Sequence, residues 1–425
     1  MAATKSNAMA KAVDRFQADW DKSFGAGTLQ TGRATKPYSI IPTGSVALDV
    51  AVGVGGYVKG RINEIWGPDG MGKTFLCLCA VVQAQRTDPD RMVAYIDAEN
   101  KAADPWADAI GVDRTRWMKY VPLTAEDAAD AARKFLGYDL FNMVVLDSIG
   151  ALIAKADLEA QADKATMTHV ARIVTRMMGV MTAFAQQQDA TVILVNQLRD
   201  NINPGGAVQR FKTYSRAGGW KLKYSTTFGF KVGGSSKAPI MVDIKGTKHV
   251  AGREISVKVE RNKVYAEGAV VNILLNTVES EHGKVGIDQA EEVLVLGPKL
   301  GVIRKDGIVY TLPGGQWFRG EPGLRDHLHA NPTVVAELRK AMIDLNAPAT
   351  LAEEGTEEQE FTPDEGELPS HAPDRAAFMA AATGEAPQVP QEPVSKSEVP
   401  TPTPTAPVAP QAAWEGEWEA PVVFE

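Results

Sequence analysis

Short runs of apolar residues alternate with longer amphipathic stretches through the first half of the chain. Four runs are almost entirely apolar: RINEIWG, MVAYIDAE, MVVLDSIGAL and ATVILVNQ. Strands of this kind are buried on both faces, as in a parallel sheet. Between these runs, apolar residues at helical spacing predict helices over residues 73–86, 125–136 and about 168–188. The alternation of strand and helix predicts an α/β core with a mostly parallel sheet flanked by helices.

The second half of the core follows a different pattern. Four strand-like runs follow one another without helices between them, at 227–232, 240–244, 255–261 and 269–275. We expect them to be antiparallel additions to one edge of the sheet, because antiparallel strands need only short connections. Residues 283–345 show short helical segments and a hairpin, which predict a small α+β lobe.

The two ends of the chain differ from this body. Met9, Val13, Phe16 and Trp20 lie on one face of a helix predicted over residues 8–24. This face packs either on its own domain or on another subunit, since both would bury it. Residues 346–425 are rich in proline and acidic residues and predict a disordered tail. The predicted organisation has four parts: an N-terminal helix and linker (residues 1–36), an α/β core (37–282), a small lobe (283–345) and a disordered acidic tail (346–425).

Charge and composition narrow the classes of function. The net charge of −8 combines −14 in residues 346–425 with +6 in the remaining chain. A basic body could meet nucleic acid. The sequence has no apolar run long enough to span a membrane, no secretory signal, and only Cys77 and Cys79 as cysteines. We therefore expect a cytoplasmic protein without a disulfide framework, a structural zinc site or a membrane partner.

A phosphate-binding motif lies between the first predicted strand and the first predicted helix. Its residues are Gly67, Pro68, Asp69, Gly70, Met71, Gly72, Lys73 and Thr74, which fit GxxxxGK[ST]. In this motif, backbone N–H groups and the helix N-terminus face the phosphates. Lys73 is expected to contact the β- and γ-phosphates, and Thr74 to hold Mg²⁺.

Three polar residues end neighbouring strands, where an open α/β sheet places its ligands. Asp147 ends the strand-like stretch of residues 143–147 and is expected to orient the magnesium ion through a water molecule. Glu99 is a candidate for positioning the attacking water, the alternative being an exposed loop acid. Gln197 could sense the γ-phosphate and pass that signal to the loop that follows.

That loop has the composition of a nucleic-acid binding segment. The basic residues between 198 and 224 are Arg199, Arg210, Lys212, Arg216, Lys221 and Lys223, and Phe211, Tyr214, Trp220 and Tyr224 are interleaved with them. Basic groups neutralise phosphates and aromatic rings stack on bases, so we expect contacts that tolerate any sequence. A solvated basic loop is the alternative.

The sequence resembles the RecA recombinases over roughly residues 9–345. The resemblance is carried by TGSVALDVAVGVGGYVKGRINEIWGPDGMGKT, YIDAEN, DPWADAIGVD, VVLDSIGAL, VNQLR, AGGWKLKYS and VKVERNKV, in that order. It implies an ATP- and Mg²⁺-dependent filament on single-stranded DNA that pairs it with duplex DNA in recombination, repair and the SOS response. It also implies that Glu99 activates water and that Gln197 senses the γ-phosphate.

Further residues gain roles only through this resemblance. Trp106 falls where the family places an aromatic side chain against adenine, and Arg261 and Lys263 where basic residues reach the ATP of the next subunit. The basic segment matches the second DNA loop, with Ile202 as its wedge between bases. Residues 158–167 match the first loop, with Met167 as the apolar contact and Arg172 on the helix behind it.

The sequence departs from the family at several positions. Asp69, Gly70 and Met71 replace the usual residues of the phosphate loop, Asn100 follows Glu99 where histidine is common, and Arg261 replaces a lysine. Arginine keeps its charge but is planar and forked, so the rate of activation between subunits is open.

The sequence favours a DNA-dependent ATPase that acts as a recombinase, and it leaves alternatives open. A ring-forming helicase motor with the same core is one, and a non-catalytic DNA-binding mediator switched by ATP is another. Basic residues of the lobe (Lys299, Arg304, Lys305, Arg319 and Arg325) either gather duplex DNA or are solvated. The acidic tail either keeps the protein soluble, competes with DNA, or presents Trp414, Trp418 and Phe424 to a protein partner.

Overall fold

The computed structural model of the protein describes residues 2–25, 29, 38–101, 104–159, 168–200, 214–216, 222, 224–244, 247–279 and 284–346. The helices are α1 (Ala2–Phe24), α2 (Val46–Ala51), α3 (Lys73–Thr87), α4 (Asp104–Ile110), α5 (Ala125–Leu136), α6 (Lys155–Glu159), α7 (Thr168–Gln187), α8 (Gln289–Lys299), α9 (Gly320–Ala330) and α10 (Pro332–Asn346). Short 3-10 helices span Arg114–Arg116 and Ile149–Ala151.

The strands of the described residues form three sheets. The strands are β1 (Ile40–Ile41), β2 (Tyr57–Val58), β3 (Ile62–Gly67), β4 (Met92–Asp97), β5 (Trp117–Tyr120), β6 (Phe141–Asp147), β7 (Thr191–Asp200), β8 (Tyr214–Arg216), β9 (Phe228–Gly234), β10 (Ile240–Ile244), β11 (Thr247–Asn262), β12 (Val270–Asn276), β13 (Gly286–Ile287), β14 (Arg304–Asp306), β15 (Val309–Thr311) and β16 (Trp317–Arg319). The predicted tail, apart from Asn346, lies outside the described residues.

Six parallel strands form one side of the main sheet, in the order β9-β3-β7-β6-β4-β5, with β5 at the end of that order. Their apolar residues divide between two cores. On β6, Val145 packs in the core that α3 covers, whereas Val144 and Leu146 pack in the core that α5 and α7 cover. The predicted α/β class is therefore confirmed, and the nearly all-apolar strands follow from burial on both faces.

One expectation about the later strands was wrong. β9 pairs with β3 in parallel, although we expected all four late strands to be antiparallel. Of these four strands, β10, β11 and β12 continue the sheet in antiparallel fashion. Strand β9 follows the long segment after β7, which is long enough to return the chain to the opposite end of the sheet before β9 begins.

The register of the parallel strands brings polar residues to one edge of the sheet. Gly67 at the end of β3 is level with Gln197 on β7, and Asp97 at the end of β4 is level with Asp147 at the end of β6. Because carboxyl ends of parallel strands share an edge, the candidate residues from separate parts of the sequence converge there.

A third core joins the C-terminal lobe to α2. The lobe contains α8, α9, α10 and the three-stranded sheet β14-β15-β16, and its core includes Val46 and Val50 of α2. Arg339 of α10 forms an ion pair with buried Asp49 of α2, with a Nε–Oδ2 distance of 2.9 Å. Shared packing and this ion pair thus fix the lobe to α2. Within the described residues, no helix combines the length and the apolar character needed to cross a membrane.

A partly buried glutamate lies at this junction. Glu292 of α8 accepts hydrogen bonds from the Ser45 hydroxyl at 2.6 Å and from the Val46 N–H at 2.5 Å. Burial raises the pKa of Glu292 to about 8, although these hydrogen bonds and that of Ala47 act to lower it. The folded protein therefore holds a proton that the unfolded chain loses near its ordinary pKa of 4.5.

We expect this proton to make stability depend on pH. The free energy of unfolding should fall as the pH rises from about 5 to about 8, by up to about 1.4 kcal/mol per pH unit from this group. Urea unfolding at several pH values measures the slope, and Glu292→Gln should remove that part of it. Equal slopes for the two proteins would contradict the assignment.

Candidate nucleotide and DNA site

The phosphate loop connects β3 to α3 and is built around glycines. Gly67 has no room for a side chain, since a Cβ there would lie 2.2 Å from the carbonyl oxygen of Val232. Gly72 caps α3 with a φ of 86° in the left-handed region, and a Cβ there would lie 2.5 Å from Leu275. The backbone can therefore turn tightly before the helix, which leaves the first N–H groups of α3 available to an anion.

Lys73, the first residue of α3, folds back over this loop. Its Nζ donates to the carbonyl oxygens of Gly67 at 3.0 Å and Pro68 at 2.8 Å, and it lies 3.7 Å from Asp69 Oδ1. Burial lowers the pKa of Lys73, against the opposing effect of Asp69 and other nearby carboxylates. A lysine held by carbonyl oxygens at the mouth of an anion-binding loop can transfer its donors to phosphate oxygens.

We expect Lys73→Ala to weaken ATP binding by between about tenfold and a hundredfold, because it removes charge-assisted hydrogen bonds to phosphate. Titration with a fluorescent ATP analogue measures the change. Lys134→Ala, at an exposed lysine on α5, is the matched control and should leave the affinity unchanged. An unchanged affinity in Lys73→Ala would refute the role given to this lysine.

Thr74 and Asp147 meet at the end of β6. The Thr74 hydroxyl donates to Asp147 Oδ2 at 2.6 Å. Burial raises the pKa of Asp147, while hydrogen bonds from Thr74 and Tyr95 act to lower it. A hydroxyl and a carboxylate are the hard oxygen donors that Mg²⁺ prefers, and one carboxylate beside the phosphate loop fits a magnesium ion that also binds substrate phosphates.

Glu99 follows β4 and is held by three donors. Oε1 accepts hydrogen bonds from Gln197 Nε2 at 2.6 Å and from the Ser148 hydroxyl, and Oε2 lies 3.0 Å from Lys101 Nζ. Burial acts to raise the pKa of Glu99, but the donors from Ser148 and Lys101 outweigh it and the pKa is lowered. The side chain is therefore an ionised carboxylate, as a base requires, and it contacts the candidate sensor Gln197 directly.

Trp106 lies beside the start of α3, on α4. Its ring makes an edge contact with Phe75, the residue after Thr74, with ring centroids 5.9 Å apart. The indole remains 39% exposed, so one side of it is accessible to a ligand. A flat aromatic surface next to the phosphate loop can pack against a nucleotide base.

Arg261 and Lys263 lie at the opposite end of the sheet from the phosphate loop. Lys263 N–H bonds to the Thr227 carbonyl, and Thr227 N–H bonds to the carbonyl of Ile62, where β3 begins. Ile62 and Gly67 are the two ends of β3, about 17 Å apart for an extended strand. Arg261 donates to the Thr226 hydroxyl at 3.0 Å, and Lys263 to the Tyr224 carbonyl. The fold does not bring these two residues to the phosphate loop of their own chain.

The candidate DNA segments are only partly described. Arg172 is exposed near the start of α7. Arg199 and Arg216 belong to β7 and β8, which pair in antiparallel fashion through Leu198–Arg216 and Asp200–Tyr214. Lying outside the described residues are Met167, Ile202, Arg210, Phe211, Lys212, Lys221 and Lys223. The described backbone therefore shows that the basic segment begins directly after Gln197 and that β8, further along this segment, pairs with the end of β7.

Several contacts at this edge involve residues other than the candidate residues of the sequence motifs. Tyr95 donates to Asp147, Ser148 to Glu99, and Arg253 of β11 to the Gly70 carbonyl of the phosphate loop. Tyr95 is part of an apolar run and has the pattern of a core residue, so no local signal marks it. Ser148 directly follows Asp147 in the sequence, and this adjacency is a local signal that could have identified it.

Comparisons with known proteins come from sequence and from structure. The family model described as the RecA N-terminal domain matches residues 11–277. Protein RecA of Salinispora tropica is 32% identical over 338 residues, which cover 79% of this chain and 91% of that protein. Protein RecA of Frankia alni is 34% identical over 334 residues, which cover 78% and 91%. The crystal structure of the RadB recombinase aligns with 59% of this chain and 100% of its own, at 18% identity and a TM-score of 0.41.

Proposed function

This chain belongs to the RecA family, and from that membership we propose that it is a DNA-dependent ATPase that forms filaments on single-stranded DNA and catalyses homologous pairing and strand exchange. ATP with Mg²⁺ is the proposed ligand of the phosphate loop. Single- and double-stranded DNA and further copies of the chain are the proposed partners.

The contact between Gln197 and Glu99 carries this proposal. Glu99 is the candidate base for hydrolysis, and Gln197 lies on the strand that leads into the basic, aromatic-rich segment. One hydrogen bond of 2.6 Å therefore joins the hydrolytic group to the start of the candidate DNA loop. If DNA binding shifts Gln197, Glu99 would be freed or reoriented. This movement would couple DNA binding to ATP hydrolysis.

The residues of the site have distinct tasks in hydrolysis. Lys73 and the N-terminus of α3 bind and orient the phosphates, while Thr74 and Asp147 would hold the magnesium ion. When bound, magnesium neutralises charge on the phosphate oxygens. Glu99 orients the attacking water and accepts its proton, and Gln197 contacts the γ-phosphate.

Self-association is supported by the separation of Lys263 from its own phosphate loop. Because these groups lie at opposite ends of β3, Arg261 and Lys263 can complete an ATP site only in a neighbouring subunit. The N-terminal helix supports the same arrangement, since Met9, Phe16 and Phe24 of α1 are each more than half exposed. An exposed apolar helix face suits burial against a second copy of the chain.

ATP hydrolysis with and without single-stranded DNA tests the proposal, together with negative-stain imaging in a slowly hydrolysed ATP analogue. We expect turnover stimulated by DNA and helical filaments, and then strand exchange between homologous DNA molecules. Stimulated turnover with closed rings would instead identify a helicase motor. Filaments without turnover would identify a mediator that ATP switches without catalysis.

A further inference from the structure

Tyr95 lies in the middle of β4 and contacts the candidate magnesium site from within the core. Its side chain is fully buried, and its hydroxyl donates to Asp147 Oδ2 at 2.8 Å. The same oxygen accepts the Thr74 hydroxyl at 2.6 Å. Two hydroxyl donors from different elements therefore converge on one carboxylate oxygen.

Packing fixes the direction of the Tyr95 hydroxyl. The ring makes an edge contact with Trp117 of β5, with centroids 5.7 Å apart and planes at 80°. Burial, together with the nearby Asp147 carboxylate, raises the pKa of Tyr95 well above its ordinary value. The hydroxyl is therefore directed at Asp147 Oδ2, to which it can donate its proton.

Asp147 needs such a donor because its surroundings disfavour a carboxylate. It is 4% exposed, and the carboxylates of Asp97 and Glu99 are close enough to act on its charge. Hydrogen bonds to a buried charged group stabilise it more than those between neutral groups. The Tyr95 hydroxyl thus offsets part of the cost of an anion at this position and limits rotation of its carboxylate plane.

We propose that Tyr95 is a positioning residue of the magnesium site, which holds Asp147 in the orientation that binds magnesium together with nucleotide. The proposal rests on the proposed function, because it concerns the same ATP site. It goes beyond the motif residues, since Tyr95 lies within a core strand and its hydroxyl donates to Asp147.

Tyr95→Phe removes this hydroxyl and keeps the ring that packs on Trp117. The measurement is binding of a fluorescent, non-hydrolysed ATP analogue, titrated with Mg²⁺ and repeated in EDTA. We expect the half-saturating Mg²⁺ concentration to rise about tenfold or more, as loss of one hydrogen bond to a charged group predicts. Binding in EDTA should be unchanged, because without the metal the orientation of Asp147 has no role in nucleotide affinity.

Tyr57→Phe is the matched control. Tyr57 is also a buried core tyrosine, but its ring contacts Phe230. Tyr57→Phe should leave the Mg²⁺ dependence of nucleotide binding unchanged. The melting temperatures of both variants test whether they are folded. If Tyr95→Phe equals the wild-type protein, or loses affinity equally in Mg²⁺ and EDTA, the positioning role is overturned while the ATP site remains. If the wild-type protein binds no nucleotide with Mg²⁺, the proposed function fails and this inference with it.

Discussion

Replacing Glu99 with glutamine should lower the rate of ATP hydrolysis by at least about a hundredfold and leave binding of ATP and DNA nearly intact, because a general base contributes about 10²–10⁴ to the rate. The glutamine side chain has almost the same shape and can still accept the hydrogen bond from Ser148. It cannot accept a proton from water. The turnover number in saturating ATP and single-stranded DNA measures the loss, and filament length in negative stain measures assembly.

The control for this variant is Ser148→Ala, which removes one donor to Glu99 but leaves its carboxylate. Its effect on turnover should be far smaller, within about tenfold, since the loss is one hydrogen bond. A Glu99→Gln protein that hydrolyses ATP at the wild-type rate would show that another residue activates water. Loss of ATP binding in the same variant would show that Glu99 stabilises the site rather than the reaction.

Most of the site could be predicted because its motifs are local in sequence. The phosphate loop requires consecutive residues between a strand and a helix, and Asp147 and Gln197 each end an apolar run. The parallel register then brings those strand ends together without any signal in the side chains. Fold class and family membership followed from the same segments and are confirmed.

What could not be predicted depends on contacts between distant strands. Tyr95 has the pattern of a core residue, and only the register of β4 with β6 places its hydroxyl beside Asp147. Parallel pairing of β9 with β3 was missed for a related reason, since the pattern of apolar residues does not encode the direction of a strand. Arg253 reaches the phosphate loop because β11 runs along the sheet to that edge, which no local motif indicates.

Mixing two inactive proteins should restore ATP hydrolysis if the site is shared between subunits. The first is Glu99→Gln, which keeps Arg261 and Lys263. The second carries Arg261→Ala and Lys263→Ala and keeps Glu99. In a head-to-tail assembly, each phosphate loop meets the basic pair of the next subunit, so a random equal mixture has both functions intact at about a quarter of the junctions.

We expect each protein alone to show no more than a few per cent of wild-type turnover, because removal of charges that stabilise a phosphoryl-transfer transition state costs about 10²-fold or more. The equal mixture on single-stranded DNA should recover up to about a quarter of it. Lys134→Ala in place of the double variant is the control for dilution, since it brings its own complete site. A mixture that stays inactive while both proteins enter the same filaments would mean that Arg261 and Lys263 do not act across the junction. The β3 geometry would then require another source of positive charge for the site.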